Sequence, residues 1–122
     1  MITRGYDPHK GCLAYPGGFV DYNEDPEEAC VRELKEECGI QGSNPILVTV
    51  AGNPKRDPRK HVISIVYYVE VDPKLEVIAG DDAAKAEWYD LLEVLKSKDM
   101  AFDHKDILNE FLNKFYPYYL KL

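Results

Sequence analysis

Glu33, Glu36 and Glu37 stand at i, i+3 and i+4, so on a helix their carboxylates share one patch. Carboxylates about 6 Å apart repel by ~2–3 kcal/mol per pair at an effective dielectric of about 20. Hard divalent cations relieve that repulsion because they prefer oxygen ligands, and Mg²⁺ typically binds through one or two carboxylates plus the phosphates of a substrate. Arg32 sits beside the patch, placed to pair with Glu36 or with Glu24. On the helix alone a solvated acidic face is the plainer reading. The local signals for the helix are clear. Asp25 can cap it, Pro26 suits its first position, and Glu28 completes a capping-box pattern. Cys38-Gly39 closes it, with Gly39 fit for a left-handed C-terminal position. On the other side of that helix, Cys30, Val31, Leu34 and Cys38 should face the core.

The surroundings of the patch decide between the two readings. From Gly18 to Ile40 the chain runs Gly-x5-Glu-x7-Arg-Glu-Leu-x-Glu-Glu-x-Gly-Ile, with Gly18, Glu24, Arg32, Glu33, Leu34, Glu36, Glu37, Gly39 and Ile40 at the defined positions. This stretch resembles the signature box of the Nudix hydrolases at every defined position. Ordinary composition would produce such agreement on the order of once in a billion starts, so chance is set aside.

The resemblance implies an α/β (α+β) Nudix fold over a single domain, 1–122, with a mixed sheet sandwiched between helices and the box as a loop–helix–loop. It implies hydrolysis of a nucleoside diphosphate linked to another moiety, with Mg²⁺ or Mn²⁺. Carried over by motif position, Glu33, Glu36, Glu37 and the carbonyl of Gly17 look like metal ligands. Glu24 and Arg32 look like residues that orient the glutamates. Asn53-Pro54 to Val62, Gly80 to Ala84 with Trp88, and Ala101 to His104 are similar to ADP-ribose pyrophosphatase-like members. The implied reaction is ADP-ribose to AMP and ribose 5-phosphate. Nudix enzymes often add a late-loop carboxylate, for which Asp82 or Asp81 is the candidate. Glu36, Glu37, Arg32 and Asp82 are thus the catalytic candidates, and Gly18, Arg56 and Arg59 the substrate-binding ones. The alternative is a non-catalytic sensor that binds ADP-ribose without consuming it.

Composition agrees with a small nucleotide as partner. The 122 residues carry 15 Lys and Arg against 22 Asp and Glu, a net charge of −7, with no basic cluster of the kind that neutralises a polyanion. Nucleic acid polymers are therefore not expected partners. Apolar residues make up 45% and charged residues 30%, an ordinary composition for a folded domain. No apolar run nears the roughly 20 residues that span a bilayer, and the first residues lack a signal-peptide core, so no membrane is expected and the expected address is cytoplasmic. Cys12, Cys30 and Cys38 form no C-x-x-C pair and read as free thiols.

The elements that must position these residues follow from turn and periodicity signals. Strands are expected at Leu13–Tyr15, Ile46–Ala51, Val62–Val71 and around Ala84, Ala86 and Trp88, with Leu75–Ile78 pairing beside the third of them. A short helix is expected over Leu91–Lys96. Ile107, Leu108, Phe111, Leu112 and Phe115 mark an amphipathic helix stopping near Pro117. Trp88 is read as core, and His61 and His104 as structural. The resemblance also implies N-terminal strands missing from this chain, whose matching segment begins at Arg4. An uncovered edge invites pairing with another chain, so a homodimer, or strands exchanged between copies, is the expectation.

Overall fold

The computed structural model describes residues 1–80, 82–97 and 99–121. Asp81, the alternative to Asp82, lies outside them. In chain order the elements are β1 (Ile2–Arg4), β2 (Leu13–Ala14), α1 (Pro26–Cys38), β3 (Ile46–Ala51), β4 (Ser64–Tyr68), β5 (Ala83–Ala86), α2 (Leu91–Lys96) and α3 (His104–Phe115), with a closing 3₁₀ helix at Pro117–Lys121.

Helix α1 begins and ends as its sequence dictates. The Asp25 side chain accepts from Glu27 N, Pro26 opens the first turn, and Gly39 at φ 70° takes the left-handed position. The inward face differs from the expected one. Ala29 and Cys38 are its buried residues, while Cys30, Val31 and Leu34 are only half-buried. Leu34 still packs on the main core cluster of Ile2, Ala14, Cys38, Ile40, Ala83 and Ala101.

The sheet is built from two pieces. β1 is the middle strand of an antiparallel order β2-β1-β5, and β3 pairs antiparallel with β4. A parallel bridge from Leu13 to Met100 makes the pairing mixed. Helix α1 packs against β4 and β5, and α3 against β3, so the strands lie between helices as expected. On β4, Tyr68 meets Phe111 and Phe115 of α3 edge-on, at ring-centroid distances of 5.0 and 5.3 Å.

Four further expectations need correction. The N-terminal residues were read without a strand, yet Ile2–Arg4 is the centre of a sheet; three residues are too few to show a period. The strand over Val62–Val71 shortens to Ser64–Tyr68. Leu75–Ile78 forms no strand, because this stretch leads into the C-terminus of α1: Ile78 N donates to Cys38 O and the following Gly80 N to Glu37 O, both at 2.9 Å. Those carbonyls have no partner within the helix, and capping them takes precedence over a sheet edge. Trp88, read as core, is half-exposed, with its indole N–H donating to Leu75 O.

Candidate active site

Arg32 organises the acidic patch. Its Nε and Nη2 donate to Glu24 Oε2 and Oε1 at 2.7 and 2.9 Å, a two-pronged bond. Its Nη1 bridges Glu33 Oε1 at 2.8 Å and Glu36 Oε2 at 3.1 Å, and Nη2 also donates to Phe19 O. All five guanidinium N–H groups are thereby used, which ties the loop after Gly18 to the helix. The bonds from Arg32 hold the Glu24 carboxyl well below the usual range, at about 2, and Glu24 in turn raises the pKa of Arg32.

Glu37 lies on the other flank. Gly17 N donates to its Oε2 at 2.9 Å. Burial pushes its carboxyl up to about 7; the Gly17 bond opposes the shift, the Glu33 and Asp82 charges add to it, and Arg4 draws it down. Asp82 reaches this place through the backbone. Gly80 lies so close to Glu36 O that a Cβ there would collide with it, so only glycine lets the chain pass the end of α1 and deliver Asp82. From the other side, the pairing of Arg4 with Ala83 brings Arg4 and Gly5 beside Asp82.

Glu37, Asp82, Arg4, Gly5, Tyr6 and Arg59 line one cavity of about 210 Å³. Of the expected site residues, Glu37, Asp82 and Arg59 meet there directly. Glu33 and Glu36 join through Arg32, while Gly18 packs against the Glu33 carboxylate. Arg56 goes elsewhere, against the expectation that it holds substrate. Its side chain is 5% exposed, bonded through Nε and Nη2 to Asp103 at 2.8 Å each and through Nη1 to Val62 O and Ser64 Oγ. His61 bonds Gly52 O, and His104 accepts from Tyr15 N, both structural contacts. Arg4 was missed in the sequence. Nothing in its neighbourhood signals it, because β-pairing across about eighty residues places it.

The carboxylates are close but not closed into a cage. Among the described residues no three Asp, Glu, His or Cys side chains converge on a common point. Arg32 Nη1 occupies the space between Glu33 and Glu36, supplying the positive charge their proximity requires. The donor set fits a hard divalent ion nonetheless. It is all oxygen, the ligand type that such ions prefer, and the Glu33 and Asp82 charges both bear on the Glu37 carboxylate.

A family model described as a NUDIX domain matches residues 1–111. The chain belongs to the NUDIX family. An ADP-ribose pyrophosphatase of Methanocaldococcus jannaschii is 47% identical over 92% of this Nudix chain and 64% of its own length. An ADPR responsive transcriptional repressor of Acinetobacter baylyi is 39% identical over 90% of the chain and 44% of its own length. Among solved structures, a bifunctional NMN adenylyltransferase/ADP ribose pyrophosphatase of Francisella tularensis, complexed with AMP and a Mn ion, superimposes with a TM-score of 0.82. It is 31% identical and covers 93% of this chain and 37% of its own. The Nudix chain thus spans less than two thirds of the length of each of these relatives. Among the described residues no helix is long and apolar enough to cross a membrane.

Proposed function

We propose that this Nudix chain hydrolyses the pyrophosphate bond of ADP-ribose to AMP and ribose 5-phosphate with Mg²⁺, or Mn²⁺ in its place. The observation that carries the reading is the convergence of Glu37 and Asp82 with Arg4 and Arg59 on one cavity, beside glutamates organised by Arg32. The 47% identical pyrophosphatase supports the substrate.

Glu33, Glu36, Glu37 and the Gly17 carbonyl would hold the ion. When bound, it neutralises pyrophosphate oxygens and makes a water a stronger nucleophile. The chain's own groups do the rest. Arg32 fixes the carboxylates of Glu33 and Glu36, so little reorganisation is needed as charge develops. Asp82 takes the proton of the attacking water as its oxygen bonds to phosphorus. The bridging P–O bond breaks and the departing phosphate keeps the electron pair. Arg59 faces the phosphates.

The alternative, a sensor that binds ADP-ribose and leaves it intact, is favoured by one finding, the 39% identical repressor. Incubation with ADP-ribose and Mg²⁺, with products separated by chromatography, distinguishes the two. AMP and ribose 5-phosphate in equal amounts support hydrolysis; tight binding with no AMP supports the sensor. A cytoplasmic homodimer belongs to the same reading. Val50 and Ile65, paired across β3 and β4, and Ile63 just before β4 are exposed apolar side chains suited to a second copy. Light scattering showing only monomer at micromolar concentration would remove the dimer from it.

A further inference from the structure

Phe102 has a backbone φ of 50°, a left-handed conformation that a bulky aromatic residue rarely adopts. Strain of this kind persists only where the surroundings enforce it, and it gathers at functional positions. What it presents here is a ring shared by two cations. The Arg4 guanidinium lies 4.8 Å and that of Arg59 5.7 Å from the ring centroid. Like charges gathered on one ring repel, so each needs its own restraint. Arg4 Nε donates to Pro8 O at 2.7 Å. Arg59 is gripped by Asp57, Nε to Oδ1 at 3.0 Å and Nη2 to Oδ2 at 2.7 Å.

Asp57 is unusual in its own right. It is only 7% exposed, and among the described residues it is the one charged or polar residue buried as a whole. A buried carboxylate is retained when its charge is matched, and this one is matched by Arg59. Among the described residues, three of the five Arg59 N–H groups and four of those on Arg4 have no protein partner. Both arginines line the cavity that holds Glu37 and Asp82.

We propose that Phe102 and Asp57 are positioning residues that hold Arg4 and Arg59 together as a two-guanidinium seat for a phosphoryl group. Only the identity of the phosphorylated ligand rests on the hydrolase reading. The seat itself follows from the ring, the buried carboxylate and the free donors. The phosphoryl group comes either from the AMP half or from the ribose 5-phosphate half of the substrate.

Calorimetric titration of AMP and of ribose 5-phosphate, each separately, tests this without turnover. At least one binds the wild-type protein, and Arg4→Ala and Arg59→Ala each weaken it about tenfold or more, as loss of a charge-assisted bond does. The compound that shows the loss identifies the half that sits there. Asp57→Asn weakens the same binding in the wild-type background and adds nothing in an Arg59→Ala background. A merely structural Asp57 would instead add its full effect in both. Phe102→Leu weakens the same binding; should it or Asp57→Asn fail to fold, the exposed Arg59→Lys, which keeps the charge and loses the fork to Asp57, lowers the calorimetric affinity instead. No binding of either compound, binding that ignores both arginines, or full additivity of Asp57→Asn with Arg59→Ala overturns the proposal. Arginine-dependent binding without hydrolysis of ADP-ribose leaves the seat standing and removes only the hydrolase reading.

Discussion

The Arg56 guanidinium and the Asp103 carboxylate face each other in a two-pronged ion pair, both bonds 2.8 Å long. The pair fastens the 52–63 loop to the start of α3, and it lowers the pKa of Asp103 below the usual carboxylate value. Removing Arg56 leaves the Asp103 carboxylate, 24% exposed, without its partner, at a cost of up to about 3 kcal/mol. Arg56→Ala should therefore lower the urea midpoint strongly while KM for ADP-ribose changes little in the fraction that remains folded. A large KM effect with unchanged stability would return Arg56 to the substrate site.

Gly18 makes a different kind of contact. A Cβ at this position would run into the Glu33 carboxylate. Because Gly18 is exposed, the Glu33 side chain can swing away, so the change should leave the melting temperature nearly intact. The carboxylate it displaces is one that Arg32 holds in place. Gly18→Ala should lower kcat roughly 10- to 100-fold, the scale of an ångström-sized misplacement. Steady-state kinetics beside a thermal melt read both quantities.

His104 predicts a pH dependence of stability. Burial holds its pKa down at about 4, against the partial opposing pull of Asp103. Protonating Nδ1 would also forfeit the bond it accepts from Tyr15 N. The unfolded chain takes up a proton near pH 6.5 and the folded one only near 4, so stability falls as the pH drops through that window. The contribution is up to about 3 kcal/mol. Glu37, with its pKa raised to about 7, tilts the curve the opposite way between about 4.5 and 7, so wild type must be compared with a variant. The urea midpoint at pH 4.5, taken relative to that at pH 7.5, should be higher in His104→Asn than in wild type. An unchanged difference would show that His104 titrates normally.

The sequence is most legible where the signals are local. Asp25, Pro26 and Gly39 bound α1 because caps act within a turn, and Leu91–Lys96 is a helix as expected. The spacing of Glu24, Arg32, Glu33 and Glu36 translates directly into the hydrogen-bonded group, since one helix and its leading loop carry it. What the chain conceals is long-range. Ile2–Arg4 becomes a central strand only because β2 and β5 close on either side of it, and Arg4 enters the cavity by the same pairing. Arg56 and Arg59 lie three residues apart in the same loop. One turns inward to Asp103 and the other lines the cavity, a difference that depends on a carboxylate 47 positions away. The fate of Leu75–Ile78 was hidden likewise, because free carbonyls at the end of a distant helix outrank the apolar pattern of the segment.

The proposed hydrolysis requires that the carboxylates of α1 seat a divalent ion. Isothermal titration of Mn²⁺ into wild type and into Glu37→Gln, each followed by an ADP-ribose assay on the same sample, tests it most directly. Wild type should bind Mn²⁺ saturably, the variant at least tenfold more weakly, and AMP release should fall with the binding. Equal Mn²⁺ affinity in the two proteins, or AMP released undiminished in the presence of a chelator, would contradict that requirement.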